Sequence, residues 1–209
     1  MSCSEYKPTL AIFDLGNVVF NIDWEPMFRM WSLFSGIPAD VLKERAKPDA
    51  TLEQFERNQI SNYEFHHYIN TLLGINLNYV EFCDGWNAIF MDENMEISRL
   101  LPNLKSSMRV VAYTNTNEIH VEAWSKRYAH ILHHFDEIFI SSKIGFRKPE
   151  HEGFRHVLKH CGVAASECIF FDDFEINILG AQQLGIRSVL VDTPSKVRET
   201  FLQMGIAVL

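Results

Sequence analysis

Four short apolar runs, each closed by a polar residue, constrain the fold of this chain more than any other feature. Thr9 to Asp14, Arg109 to Thr114, Glu137 to Ser141 and Cys168 to Asp172 are apolar through their centres, and Arg187 to Val191 reads as a fifth. Strands of a parallel sheet are covered on both faces, so they read as continuous apolar stretches rather than alternating ones. Between the runs lie segments of helical period, Glu118 to Tyr128, Glu150 to His160 and Glu175 to Leu184, the last followed by Gly185 as a helix stop. Strand alternating with helix predicts a doubly wound α/β fold with a mostly parallel sheet. The strand ending at Asp14 is expected at its centre, between those ending at Thr114 and Asp172, because that order gathers the polar ends at one edge.

Residues 23–90 break the pattern, carrying helical period without a convincing buried strand. They predict a helical insertion between two parts of the α/β unit, 1–22 and 91–209. Pro38, Pro48 and Gly74 punctuate it, and Ser61 with Glu64 forms a capping-box start for a helix running toward Leu73. Its aromatic side chains are expected to form the insertion's own core.

Composition narrows the function classes. With 209 residues, 47% hydrophobic and 22% charged, the chain is long enough to bury a continuous core. Its net charge of -8 repels polyanions, so nucleic acid and anionic membrane are not expected partners. No apolar run approaches the roughly 20 residues of a membrane span, and a cytoplasmic location is expected. Cys3, Cys83, Cys161 and Cys168 have no paired spacing and read as reduced thiols. His130, His133 and His134, and His156 with His160, fit amphipathic helix surface better than a zinc site, since no adjacent carboxylate or cysteine completes a ligand set.

The strand ends carry the chemistry. Asp14 offers a carboxylate nucleophile, Thr114 a hydroxyl, Lys148 a fixed positive charge, and Asp172 with Asp173 two hard oxygen ligands. Carboxylates so gathered repel one another and any incoming phosphate unless a divalent cation and a lysine neutralise them, and magnesium suits an all-oxygen set. Any one of these residues alone is unremarkable: Asp14 as a turn residue, Lys148 as surface, one aspartate of the pair as a helix cap.

Together, I-F-D-L-G-N-V at 12–18, Y-T-N-T-N at 113–117, G-F-R-K-P-E at 145–150 and F-F-D-D-F-E-I-N at 170–177 resemble the four ordered motifs of the haloacid dehalogenase (HAD) superfamily. The nearest subgroup is the bacterial HAD-like sugar phosphatases similar to α-glucose-1-phosphate phosphatase, which share D-L-G-N-V. The resemblance implies a phosphatase acting through an aspartyl phosphate on Asp14. Thr114 and the amide of Asn115 would hold the phosphoryl oxygens, and Lys148 would bridge phosphate and nucleophile. Magnesium would be held by Asp14, the Gly16 carbonyl, Asp172 and Asp173. Residues 23–90 would be the helical cap that the superfamily inserts after its first motif, and the partner a small phosphorylated metabolite such as glucose 1-phosphate, met by a monomer or homodimer. Asn177 is expected to fix a loop and Gly180 to allow close packing after the fourth motif.

One position departs from the pattern. Most HAD phosphatases carry a second aspartate two residues after the nucleophile as acid and base, and this chain has Gly16 there. Candidates for a substitute acid are Asp23, Glu25 and the histidines His66 and His67, one of which would line the pocket. Arg147 either adds charge at the mouth or is simply exposed. A haloacid dehalogenase and a weakly active phosphate-binding protein are the alternative readings.

Overall fold

The computed structural model describes residues 7–47 and 49–207; Cys3 and Pro48 lie outside them. Along the chain come β1 (Leu10–Phe13), β2 (Phe20–Ile22), α1 (Glu25–Ser35), α2 (Ala39–Arg45), α3 (Ala50–Glu56), α4 (Asn62–Leu73), α5 (Tyr79–Asn87) and β3 (Phe90–Glu93). There follow α6 (Met95–Leu104), β4 (Arg109–Thr114), α7 (Glu118–Arg127), α8 (Ala129–Leu132), β5 (Glu137–Ile140), α9 (Ser141–Ile144) and α10 (His151–Cys161). The chain closes with β6 (Cys168–Asp172), α11 (Glu175–Gln183), β7 (Arg187–Leu190) and α12 (Lys196–Gln203).

Five strands form a parallel sheet in the order β5-β4-β1-β6-β7. The central strand reads Leu-Ala-Ile-Phe with every side chain buried, because helices cover both faces and neighbours pair with both edges. Alternation then divides it: Ala11 and Phe13 join one hydrophobic layer, Leu10 and Ile12 the other. The fully buried character expected of every run holds for β1 and β6 but not at the margins. Glu137 and Ile138 of β5 are half-buried, and Arg187 and Leu190 of β7 are exposed, because an edge strand has a neighbour on one side only. Ser141, read as the end of a strand, instead opens α9.

Five helices fill residues 25–87. Ser61 and Glu64 make the expected reciprocal capping box at the start of α4, and Gly74 ends it with a left-handed φ of 64°. Trp31, Phe55, Phe65, Phe82 and Trp86 are buried there, and their layer is continuous with the Phe13 face of the sheet. Sequence periodicity missed the element at the base of this segment. β2 and β3 flank it and pair antiparallel, and β3 begins at Phe90, inside the region read as helical. Strands of three and four residues are too short to show a period of two. No helix among the described residues is long and apolar enough to cross a membrane.

Candidate active site

Parallel strands that start in register also end together, so the segments after β1, β4 and β6 leave the sheet at one edge. Asp14 follows β1, and its backbone N–H donates to the Phe171 carbonyl at 2.8 Å, holding it against β6. The carboxylate is buried, and Oδ1 accepts hydrogen bonds from the Leu15 N–H and the Lys148 ammonium, each at 2.8 Å. Among the described residues Oδ2 accepts none. Lys148, 1% exposed, also donates to Asp172 Oδ2 at 2.6 Å and so lies between two carboxylates. A cation buried this far is retained only where it is paired and hydrogen-bonded.

The loops are fastened so that these groups cannot swing away. Asn115 Nδ2 donates to the Lys148 carbonyl at 2.9 Å while the Lys148 N–H donates to Asn115 Oδ1 at 2.7 Å, a reciprocal clamp between the second and third motifs. Asp172 Oδ1 accepts from the Phe174 N–H at 2.8 Å, and Asn177 Nδ2 lies 3.0 and 3.1 Å from the two Asp172 oxygens. Asn177 therefore orients Asp172 from inside the following helix. Asn17 adopts a left-handed φ of 54° and donates from Nδ2 to Asp173 Oδ2 at 3.0 Å, joining the first loop to the fourth. Gly180 has a role in the same scaffold, because a Cβ there would stand 2.7 Å from the Pro149 carbonyl oxygen.

Oxygens of Asp14, Asp172 and Asp173 all lie within 4.8 Å of one another. One lysine does not neutralise three carboxylates. Burial first, then the neighbouring acids, push Asp14 up to about 7 in spite of Lys148. Asp173 is raised as well, by burial and then Asp172, against the Asn17 hydrogen bond. Burial by itself would lower Lys148, but the two carboxylates overcome it and raise the pKa. A surplus of compressed negative charge offering hard oxygens fits a divalent cation such as magnesium.

Above this floor lies a cavity of about 690 Å³. Asp14, Gly16, Thr114, Asn115, Lys148 and Asp173 line it, so the expected site residues share one space; buried Asp172 stands behind Lys148. The walls include Phe20, Ile22, Trp24, Leu52, Trp86 and Phe174, and the roof brings Glu53 and Glu56 from α3 and Arg57 from its C-cap. Trp24 and Trp86 thus serve the cavity as well as the packing. Arg147 is a cavity residue and not merely exposed: its guanidinium pairs with Glu56 at 2.8 Å and Glu53 at 3.1 Å. Arg57 continues the network to Glu53 and Glu150.

The expected substitute acids are elsewhere. Asp23 accepts from the Glu25 N–H, Glu25 pairs with Lys43 and Arg29, and neither lines the cavity. His66 contacts the Leu77 carbonyl inside the helical segment, and His67 lies on a separate surface hollow. His130 and His160 sit beside Glu93 and Glu137, and neither belongs to the carboxylate cluster. Sequence reading missed Glu56 and His120. His120 lines the cavity and is buried, with Nε2 3.0 Å from the Trp86 carbonyl and Nδ1 3.3 Å from Asn117 Nδ2. Burial lowers its pKa to about 4 despite the Trp86 carbonyl, so the ring is neutral near pH 7. The one sequence signal for it was its place three residues after Asn117, the cap of α7.

Residues 88–185 match the family of haloacid dehalogenase-like hydrolases. The sesquiterpene phosphatase astK of Aspergillus oryzae is 30% identical over 188 residues, 88% of this chain and 89% of the relative. The chain belongs to the haloacid dehalogenase-like hydrolases. The D-ribitol-5-phosphate phosphatase of Bacteroides thetaiotaomicron is 25% identical, covering 85% of this chain and 88% of that one. A HAD family enzyme from the same bacterium, solved as a magnesium complex, superposes with a TM-score of 0.76 at 27% identity, covering 88% of this chain and 93% of its own. The present chain is accordingly an enzyme, a HAD-like hydrolase of the phosphatase kind.

Proposed function

We infer that this HAD hydrolase is a magnesium-dependent phosphatase that cleaves a small phosphate monoester through an aspartyl phosphate on Asp14. The observation that carries the reading is the buried Asp14 carboxylate, held through Oδ1 by Lys148 and Leu15, within 4.8 Å of two further carboxylates. Oδ2 is then the attacking oxygen. Thr114 and the Asn115 N–H bind the phosphoryl oxygens, and Lys148 offsets charge between the phosphate and Asp14. Asp14, the Gly16 carbonyl, Asp172 and Asp173 would hold the magnesium, which when bound supplies neutralisation of the phosphoryl charge. Residues 23–90 act as the cap, and 1–22 with 91–209 as the catalytic core. A dehalogenase, whose leaving group is a halide, has no need of the Asp172 and Asp173 pair.

The substrate alcohol is proposed to be a sugar or polyol. The exposed Trp24 offers an aromatic surface to C–H groups, and Glu53, Glu56, Arg57 and Arg147 offer partners for hydroxyls. A second reading, an apolar alcohol, is favoured by the wall of Phe20, Ile22, Leu52 and Ile89 and by the resemblance to a sesquiterpene phosphatase. A panel of sugar, polyol, aryl and prenyl phosphates with haloacids, assayed with magnesium or chelator, tests both. Asp14→Asn is expected to fold and to lose at least ~10³-fold in turnover, since the covalent route is closed. Full turnover by Asp14→Asn or under chelation would remove the mechanism.

A further inference from the structure

The alcohol expelled from a phosphate monoester must gain a proton, and Gly16 supplies no carboxyl for it. Resting on the phosphatase reading above, we propose that Glu56, on the roof helix α3, is the acid that protonates the leaving alcohol and then the base that deprotonates the hydrolytic water.

Glu56 lines the same cavity as Asp14 and Lys148. Its side chain is only 13% exposed, and Oε2 is oriented by Arg147 Nε at 2.8 Å. The charged groups facing it are Arg147 and Lys148 from the third motif and Glu53 one turn back on its own helix. Burial outweighs Arg147 and raises the Glu56 pKa, so the proton is bound more readily than by a free carboxyl. Among the described residues the Glu56 side chain has Arg147 as its one hydrogen-bonding partner, whereas the other cavity acids and His120 have more than one or belong to the carboxylate cluster. Glu53 is shared between Arg57 and Arg147, Glu150 is held by Arg57 and the Arg147 N–H, and Asp173 belongs to the carboxylate cluster. His120 has both ring nitrogens occupied.

The protons balance. In the first step Asp14 Oδ2 bonds to phosphorus, the bond from phosphorus to the alkyl oxygen breaks, and that oxygen takes the electron pair and the Glu56 proton. The products are the alcohol, the aspartyl phosphate and ionised Glu56. In the second step water bonds to phosphorus and gives a proton to Glu56, while the bond from phosphorus to Asp14 breaks. Inorganic phosphate leaves, and both residues return to their starting state.

The test compares Glu56→Gln, Glu56→Asp and Glu53→Gln with wild type on an alkyl phosphate and on 4-nitrophenyl phosphate, with magnesium present. General acid catalysis contributes ~10²–10⁴-fold, and Glu56→Gln should lose that much on the alkyl substrate in single turnover. An acidic phenol needs no proton to depart, so first-step release of nitrophenol should change little. A burst of one equivalent per enzyme should follow, then slow steady turnover as the aspartyl phosphate waits for its base. Glu56→Asp should recover part of the alkyl rate. Glu53→Gln, which also breaks an Arg147 pair, should keep the wild-type dependence on leaving group and show no burst. An equal single-turnover loss on both substrates, or a Glu56→Gln enzyme without loss, overturns the role of Glu56 while leaving the phosphatase reading intact. A wild type with no phosphatase activity overturns that reading, and this one with it.

Discussion

The floor of the cavity and its roof are both built from charged side chains, but they hold them by different means. On the floor, Asp14, Lys148 and Asp172 are buried, and besides pairing with one another each is fastened to backbone or to an amide side chain by bonds of 2.7 to 3.1 Å. On the roof, Glu53, Arg57, Arg147 and Glu150 restrain one another and keep side-chain exposures of 19–45%. Charges fixed by a scaffold cost desolvation and gain position, while charges fixed by each other near solvent are cheap to separate. The floor is thus suited to holding reacting groups in place, and the roof, apart from the more deeply buried Glu56, to admitting and releasing a substrate.

The contrast breaks first if Lys148 proves dispensable. Lys148→Met should leave two buried carboxylates facing each other, at a cost of roughly 3–5 kcal/mol, and should reduce turnover severely. Denaturant unfolding without metal measures the first and the phosphate panel the second; a stability within ~1 kcal/mol of wild type would show that the floor relies on its lysine no more than a surface pair does.

Asn177→Ala sharpens the same comparison more gently, because it removes the donor to Asp172 and keeps every charge. Loss of about 1–3 kcal/mol is expected, together with a fall in magnesium affinity of roughly 10–100-fold from the misoriented Asp172. Calorimetric titration with magnesium reads the second effect, and an unchanged affinity would detach Asn177 from the metal site.

The smallest effect is expected on the roof. Arg57→Ala should cost only ~0.2–1 kcal/mol, an effect that shrinks as salt rises. It should alter KM more than kcat, since Arg57 touches Glu53 and Glu150 and none of the floor groups. A kcat loss as large as that of Lys148→Met would mean that roof and floor work as one unit.

How much of this was legible beforehand differs along the same line. The ends of β1, β4 and β6 could be read because each is a local pattern, an apolar run closed by a polar residue, and parallel pairing in register brings such ends together. The edge strands β5 and β7 read as apolar too, yet only the finished sheet shows that each is partly uncovered at its margin. β2 and β3 escaped notice because their pairing is made by closing the helical segment between Phe20 and Glu93, not by any pattern within three or four residues.

Glu56 lies 91 residues before Arg147, on a helix of seven residues too short for its facing to be read from periodicity. Asp23 and Glu25 stood nearer to Asp14 in sequence and are not among the residues that line the cavity. The sequence by itself determined the central strands, their order and the acids at their ends, because backbone pairing and burial act over a few residues. Only the tertiary structure decided which side chains of the roof meet that floor, because the direction of a side chain on a packed helix depends on what the helix packs against.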